Sequence, residues 1–509
     1  MRRIAPFMLA FASLPALVSA APPRQASSAG ENAAYHFLLA RHLESVGKVP
    51  EAIGALRRAI ELAPVSAELR AELAGLYARQ DRAVEALSTA EEALELKPDN
   101  REANRILGTI LAALAEQKRP LRPGDDPAQY AARGIAALEK ARQPAGGDLG
   151  LELTLGRLYL RGNQNDKAIA SLERVFEQQP EYSEGGMLLA AAQEQAGKAD
   201  EAIQTLESTI QHNPPFFRAY LRLIALYEEQ RRWKEAAGAY ALAQGINPKA
   251  DLIGGRAGAL INGGAAKDAQ TLLQAALAKK AAPDAVLLYL LAESQRQLKD
   301  YEAAGATTRR LREAFPDDPR GLVLQAQLQV AQGRQDDAIA TLADLVKRSP
   351  GEPGFVYQYA DLLERTGRIA EAEKALRELL ARDPADATAL NALGYMFAER
   401  GERLAEAVEL IRRALTIEPG NPSFLDSLGW AFFKQDELAR AESPLVEAAA
   451  KSPRNSVIQE HLGDLRFRQQ RYAEAVAAWE QALAGDGDSL DRTALDKKLR
   501  DARARVSKK

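Results

Sequence analysis

Histidine and cysteine are the side chains that most often bind metals or act as nucleophiles, and this 509-residue chain has few of them. It contains no cysteine and four histidines. Without cysteine there is no thiolate nucleophile, no disulfide and no sulfur ligand for zinc or an iron–sulfur cluster. The histidines lie in three distant repeats, at His36 and His42, His212 and His461. We therefore expect them to have packing or surface roles, and we predict no metal site and no cofactor.

Two short motifs match catalytic patterns only in their spacing. Ser45 and Lys48 have the spacing of a serine–lysine dyad, but Gly47 between them fits a turn between two helices. Gly254, Gly255 and Gly258 suggest a dinucleotide-binding loop, but no strand precedes them, as such a loop requires. The chain has no zinc-binding histidine–glutamate helix, nucleophile elbow or phosphate-binding loop. We therefore predict that the protein is not an enzyme.

Proline spacing shows how the chain is organised. Prolines recur at intervals of 34 or 35 residues or of two such periods, with one insertion, at Pro64, Pro98, Pro180, Pro214, Pro248, Pro316, Pro350, Pro384, Pro419 and Pro453. Alanines such as Ala52, Ala86 and Ala475 keep the same period. Apolar residues between them follow the three-and-four spacing of amphipathic helices. The pattern predicts helix pairs in which small residues let the two helices approach closely and proline ends the second helix.

This pattern resembles the tetratricopeptide repeat (TPR) family, on segments such as "AELAGLYARQDRAVEALSTAEEALELKPDN" and "LDSLGWAFFKQDELARAESPLVEAAAKSP". The resemblance implies an all-α fold, a right-handed α-solenoid (superhelix) of about 13 helix-turn-helix TPR units with a C-terminal capping helix. The predicted units fill residues 33–489, and the third has an insertion near 116–129. The seventh is rich in glycine, and we expect it to be less stable than its neighbours.

Both ends of the chain have distinct compositions. Arg2 and Arg3, an apolar run and Ala20 predict a signal peptide at 1–20, followed by a flexible leader at 21–32. Residues 490–509 are predicted to form a basic capping helix and tail. Two roles for this tail stay open: a solvated capping face, or contact with anionic lipid or an acidic partner patch.

The best candidates for partner binding lie on the first helices of the last three units, at positions that the family resemblance places on the inner, concave face. They are Asn391, Tyr395, Asp426, Trp430, Phe433, Lys434, Glu460, Asp464, Phe467 and Arg468. We expect an aromatic groove rimmed by charge, which is the residue mix of a protein-binding hot spot. The alternative is that Trp430 and Phe433 only pack between neighbouring helices.

The predicted function is that of a non-catalytic scaffold or adaptor that binds client proteins in the bacterial cell envelope. Residues 390–435 resemble the terminal repeats of envelope TPR proteins, some of which recruit a protease or assist outer-membrane assembly. The alternative is a structural factor for outer-membrane or polysaccharide export. The net charge of −3 argues against nucleic acid as a partner. We expect an exported, periplasmic or secreted and soluble protein, since no cysteine is available to carry a lipid.

Overall fold

The computed structural model describes residues 32–118, 120–143, 147–486 and 490–506. The predicted signal peptide and the leader up to residue 31 lie outside the described residues, as do the last three residues of the tail. The chain divides into two compact units, residues 1–249 and 250–509. In the described part of both units the regular structure is helical, and none of these helices is long and apolar enough to cross a bilayer.

The described residues of the first unit form six helix pairs. Its helices are α1 Ala33–Ser45, α2 Val49–Leu62, α3 Ala67–Arg79, α4 Ala83–Leu96, α5 Arg101–Gln117, α6 Tyr130–Ala141, α7 Leu149–Arg161, α8 Asn165–Gln178, α9 Ser183–Gln195, α10 Ala199–His212, α11 Phe217–Glu229 and α12 Trp233–Ile246. In the segment between α5 and α6, the Tyr130 hydroxyl accepts a hydrogen bond from the Leu121 amide (2.9 Å) and donates to Asp125 (2.9 Å). The residues inserted in the third pair are therefore tied to the helices.

In the second unit, the part that the structure describes forms seven helix pairs and a final single helix. Its helices are α13 Ile253–Asn262, α14 Ala266–Lys279, α15 Ala285–Gln297, α16 Tyr301–Ala314, α17 Arg320–Ala331, α18 Gln335–Arg348, α19 Pro353–Arg365, α20 Ile369–Arg382, α21 Ala387–Arg400, α22 Leu404–Ile417, α23 Pro422–Lys434, α24 Leu438–Lys451, α25 Ser456–Arg468, α26 Tyr472–Ala484 and α27 Arg492–Val506. Within each unit, each pair packs on the next. The prediction of an all-α array of about thirteen helix pairs with a capping helix is confirmed.

Local sequence sets where the first helix of each of the last three pairs begins. The side chains of Asp386, Asn421 and Asn455 cap α21, α23 and α25 by accepting hydrogen bonds from backbone amides of the first turn. Such caps satisfy donors that have no partner inside the helix. Asp436 and Gln470 then make the tight turns to α24 and α26 in the left-handed conformation. The start of each first helix is thus fixed, and with it the direction of its side chains.

Small residues decide how closely the paired helices pack. A methyl group added at Gly429 would lie 2.5 Å from Leu445 Cγ, and one at Gly394 would lie 2.7 Å from Ile411 Cγ1. These glycines are therefore required by close packing. The capping helix α27 closes the core in the same way, since Leu495 and Leu499 are buried against Trp479.

Candidate protein-binding site

The predicted binding residues lie on three consecutive first helices, α21, α23 and α25. The structure divides them into two neighbouring groups. One group surrounds the buried indole of Trp430, and the other lines an open pocket between α23, α25, α26 and α27.

Trp430 is the centre of an aromatic stack. Its ring lies parallel to Phe433 of the same helix (centroids 4.8 Å apart) and to His461 of α25 (3.9 Å). Only 6% of Trp430 is exposed. Both faces of the indole are therefore covered by the protein itself, and its role in this arrangement is to hold α23 against α25 and to support Phe433.

His461 is buried with a carboxylate partner. Its Nδ1 lies 2.9 Å from Oδ2 and 3.0 Å from Oδ1 of Asp426, which is also buried. Burial alone would disfavour the charged ring, but the charge and hydrogen bond of Asp426 outweigh it, so the pKa of His461 lies above its ordinary value. The imidazole and the carboxylate thus form a buried hydrogen-bonded pair beneath the indole.

Glu399 fixes the polar edge of the stack. Its Oε2 accepts a hydrogen bond of 2.5 Å from Trp430 Nε1, and its backbone oxygen accepts one of 2.7 Å from Lys434 Nζ. Lys434 also lies 4.9 Å from the centroid of the Trp430 ring, which is within cation–π range. The end of α21 is thereby joined to α23 by two hydrogen bonds beside one indole.

The second group lines a pocket of about 260 Å³. Phe433 and Phe467 form apolar walls, and Phe467 packs 5.6 Å from Trp479 of α26. The complete lining is Phe433, Asp464, Phe467, Arg468, Trp479, Lys498 and Asp501. Half-buried aromatic rings can bury an apolar side chain of a partner, and neighbouring charges of both signs can orient it.

Lys498 of the capping helix supplies the positive charge at the base of this pocket. Its Nζ lies 2.8 Å from Glu460 Oε1 and 2.8 Å from both carboxylate oxygens of Asp464. Burial raises the pKa of Asp464, although Lys498 opposes this effect. Burial would lower the pKa of Lys498, but Asp464 and Glu460 outweigh it and raise that pKa. The capping helix is therefore part of the site.

Two arginines of the basic tail form ion pairs with carboxylates of the same chain. Arg503 contacts Glu480 at 2.6 Å, and Arg505 contacts Asp501 at 3.1 Å. Arg505 also lies 4.9 Å from the centroid of Phe467. The contact of Arg503 holds α27 on α26, and that of Arg505 with Phe467 holds it at the edge of the pocket. The predicted lipid contact of the tail is not tested by them and stays a prediction.

Asn391 and Tyr395 lie outside the pocket. Tyr395 is half-buried on α21, with its ring centroid 6.4 Å from that of His461. Burial, followed by the nearby carboxylates Glu399 and Asp426, raises the pKa of its hydroxyl. Asn391, one helical turn before it, has a buried side-chain oxygen without a hydrogen-bond partner. Tyr395 therefore lies beside the Trp430 stack, at the side of His461.

Sequence reasoning missed five residues of this region: Glu399, His461, Trp479, Lys498 and Asp501. The inner-face pattern covers the first helices only, whereas Trp479 lies on a second helix and the last two lie on the capping helix. His461 was expected to pack or to lie at the surface, and its carboxylate partner was not foreseen. Its spacing of 35 residues from Asp426, about one repeat, was the available signal. In the described residues no group of three metal-binding side chains occurs.

Comparisons with known proteins were made on sequence and on structure. A tetratricopeptide repeat family model matches residues 37–101, 153–216, 256–422 in overlapping segments, and 427–491, and a second model of the same description matches 194–258. A TPR repeat-containing protein of Pseudomonas aeruginosa is 27% identical over 142 residues. That match covers 28% of this chain and 24% of the relative, so the chain spans about a quarter of the relative's length.

Similar solved structures include other helical repeat proteins. A tetratricopeptide repeat protein from Parabacteroides merdae has 16% identity and a TM-score of 0.41, covering 49% of this chain and 97% of its own. Yeast Tom70 has 14% identity and a TM-score of 0.39, covering 94% and 96%. TPR arrays in general mediate protein–protein interaction. Since the family models match well over half of the residues, this chain belongs to the tetratricopeptide repeat family.

Proposed function

We propose that this protein is a non-catalytic adaptor of the bacterial cell envelope, which holds a partner protein in the pocket between α23, α25, α26 and α27. The observation that carries the proposal is the pairing of Phe433 and Phe467 as half-buried walls of one pocket, beside the exposed Arg468. Aromatic side chains bury a large apolar area at low entropic cost, and arginine adds directional hydrogen bonds, so these residue types dominate binding hot spots.

The rigidity of the pocket supports this role. Phe433 is held by the Trp430 stack, and Phe467 is held by Trp479 and Arg505. A partner side chain that enters the pocket therefore meets walls already in position and pays little ordering entropy on binding. We expect an apolar or aromatic side chain of the partner to occupy it.

Export to the envelope is supported by the sequence. The positive residues Arg2 and Arg3, the following apolar run and the small residue Ala20 have the order of a secretory signal. The relative from Pseudomonas aeruginosa shows that related repeats occur in a bacterium. Fractionation of cells, with mass spectrometry of the mature N-terminus, tests this part: we expect the protein outside the cytoplasm and cleaved after Ala20. Full-length protein in the cytoplasm would contradict it.

Binding is tested by affinity purification from native envelopes with wild type, with Phe433→Ala combined with Phe467→Ala, and with Tyr35→Ala as control. Tyr35 is an aromatic residue in the first pair that is 48% exposed. We expect the double variant to lose its stoichiometric partner, since hot-spot truncations cost roughly 2 kcal/mol or more. The control should keep the partner. An unchanged partner yield with the folded double variant would contradict the proposed site.

The identity of the captured protein separates the adaptor from an export factor. An adaptor should retain a protease or a client at a fixed ratio, whereas an export factor should be recovered with a secretion machine. Affinity of the purified partner, measured by calorimetry with the same variants, then assigns the loss to the pocket itself.

A further inference from the structure

Three stacked rings connect a buried histidine to a wall of the terminal pocket, which is the pocket between α23, α25, α26 and α27. The ring centroids of His461 and Trp430 are 3.9 Å apart, and those of Trp430 and Phe433 are 4.8 Å apart. The rings are nearly parallel, with interplanar angles of 12° and 9°. Phe433 lines the pocket. A change at His461 that moves the indole therefore also moves this wall.

His461 can change its charge without losing its hydrogen bond to α23. Its Nδ1 lies 2.9 Å from Asp426 Oδ2. An ionised carboxylate only accepts hydrogen bonds, so Nδ1 carries a proton in both charge states of the ring. The proton that is gained or lost is therefore the one on Nε2. The imidazole stays attached to Asp426 while its charge changes.

The charged and titratable groups around the His461 ring and the indole come from three helices. They are Asp426 and Lys434 on α23, Tyr395 and Glu399 on α21, and Asp464 on α25. Burial opposes a charge on the ring, but Asp426, followed by Asp464 and Glu399, outweighs burial. The pKa of His461 therefore lies above its ordinary value, and the ring loses its charge only as the pH rises through that higher pKa.

The other helices packed near this end of α25 place their charges on different partners. Glu442 of α24 and Glu474 of α26 both pair with Arg466. Arg466 is five residues after the histidine, so it lies on another side of the helix. Lys498 of α27 pairs with Asp464. The imidazole is thus the group of this cluster whose ordinary titration range lies nearest to neutral pH.

We propose that the proton on His461 is a switch that sets the position of the Phe433 wall and so regulates binding in the terminal pocket. The proposal rests on the proposed function, because it concerns regulation of the same pocket. The charged imidazole is attracted to the π face of Trp430 and holds the indole against Phe433. Loss of the proton removes this attraction and leaves the buried Asp426 carboxylate facing a neutral ring. The stack then loosens, and the pocket binds its partner more weakly.

The wall can be observed directly by fluorine NMR of the full-length protein labelled with 4-fluorophenylalanine. Phe433→Leu identifies the signal of Phe433 by its loss. From about pH 5 to 9, we expect this signal to shift with the same midpoint as the imidazole proton signal of His461. Phe432, the buried neighbour whose ring lies 4.1 Å from the Arg440 guanidinium, is the control and should not follow that midpoint. A Phe433 signal that stays constant, or that shifts with another midpoint, would overturn the proposal.

Variants assign the transition to the imidazole. His461→Gln keeps an N–H donor but does not titrate, so the transition of Phe433 should disappear. Asp426→Asn removes the charge that favours the proton and should move the midpoint to lower pH, which provides a second test if His461→Gln does not fold. His212→Gln, an exposed histidine on α10 in the first unit, is the matched control and should leave the profile unchanged. If His461→Gln and Asp426→Asn both keep the wild-type profile, the switch is wrong.

Binding is measured by repeating the affinity purification from native envelopes below and above the measured midpoint. Wild type should retain roughly threefold less partner, or lower still, above the midpoint. His461→Gln should retain equal amounts at both pH values. Equal retention by wild type would overturn the switch and leave the proposed function standing. If instead Phe433→Ala combined with Phe467→Ala keeps its partner, the proposed function fails, and the fluorine titration of the free protein still decides whether His461 moves the wall.

Discussion

The seventh and thirteenth helix pairs both have a glycine in the middle of the first helix, but the two glycines have different surroundings. A methyl group added at Gly463 of α25 would lie 2.3 Å from Trp479 Cδ1. One added at Gly258 of α13 would have no atom within 4 Å. In the thirteenth pair the indole occupies the space that a side chain would need. In the seventh pair the residue at the helix crossing is the neighbouring Ala257, which is fully buried, and Gly258 faces open space.

This difference shows that glycine content by itself does not describe stability. The thirteenth pair uses the absent side chain of Gly463 to bury a tryptophan that is 1% exposed. The seventh pair gains no packing at Gly258 and still loses the helix propensity of a residue with a side chain. It also contains Arg256, whose buried Nε has no hydrogen-bond partner. We therefore expect the array to open first at α13 and α14.

The largest effect should come from Trp479→Ala. Removing a buried tryptophan leaves a cavity between α25, α26 and α27, and such truncations cost about 3–5 kcal/mol. Hydrogen exchange of the full-length protein should show that local opening of these three helices becomes easier by that amount. Leu273→Ala in α14 is the matched truncation of a buried residue in the seventh pair, and we expect it to cost less, about 2 kcal/mol. Equal effects of the two changes would remove the contrast between the pairs.

The next largest effect is the change in stability when each glycine is replaced by alanine, and it should have opposite signs in the two pairs. Gly463→Ala should destabilise α25 and α26 by about 1–3 kcal/mol, because the indole must move to admit the methyl group. Gly258→Ala should stabilise α13 by up to about 1 kcal/mol through helix propensity. Exchange rates of amides in α13 and α25 measure both changes in the same protein. If both substitutions stabilise, the close approach of Gly463 to Trp479 does not limit packing.

The sequence predicts the repeat because its period depends on local rules. Proline ends each second helix, and small residues mark the crossings, so the fold class and the number of pairs follow from spacing. It also places Phe433, Phe467, Asp464 and Arg468 on successive first helices, and the structure brings all four to one pocket.

The remaining features of the site depend on contacts between elements. No periodicity shows that Trp479 reaches under Gly463, or that Lys498 of the capping helix extends to Glu460 and Asp464. The stack of Trp430 on His461 likewise requires the relative placement of α23 and α25. Side-chain reach across helices is fixed by packing, which the pattern of a single helix does not contain.

Protonation of His461 should make the stability of the terminal helix pairs depend on pH in a way that the rest of the second unit does not share. The folded pKa of His461 lies above the unfolded value of 6.5. Its stabilising contribution is therefore fully present below about pH 6.5 and is lost as the pH rises through the folded pKa. The titratable groups near the His461 imidazole are Asp426, Glu399, Asp464 and Tyr395.

His461→Gln should remove this pH dependence from α23 and α25 while leaving α13 and α14 unchanged. Thermal unfolding and hydrogen exchange across this pH range, in wild type and in the variant, measure the change. A wild-type profile for α23 and α25 that stays parallel to that of His461→Gln would show that the imidazole does not titrate differently on folding.

The smallest effect concerns an ion cluster that joins α24 to the thirteenth pair. Glu442 accepts hydrogen bonds from Arg466, from Arg471 (2.7 Å) and from Gln469 (3.1 Å), and the arginines lower its pKa to about 2. Of the residues that the structure describes, none in α13 or α14 forms an ion pair. The cluster therefore adds a connection between elements that the seventh pair lacks.

Because the folded pKa of Glu442 is below the unfolded value of 4.5, its contribution is present above pH 4.5 and is lost as the pH falls toward 2. Its side chain is 38% exposed, so solvent screening limits the contribution to under about 1 kcal/mol. Glu442→Gln should reduce stability at neutral pH by that small amount and flatten the acid limb of the unfolding profile. Glu409→Gln, an exposed carboxylate on α22 without an ion pair among the described residues, should change neither. If the two variants behave alike, the cluster contributes no net stability, and the contrast between the pairs rests on apolar packing alone.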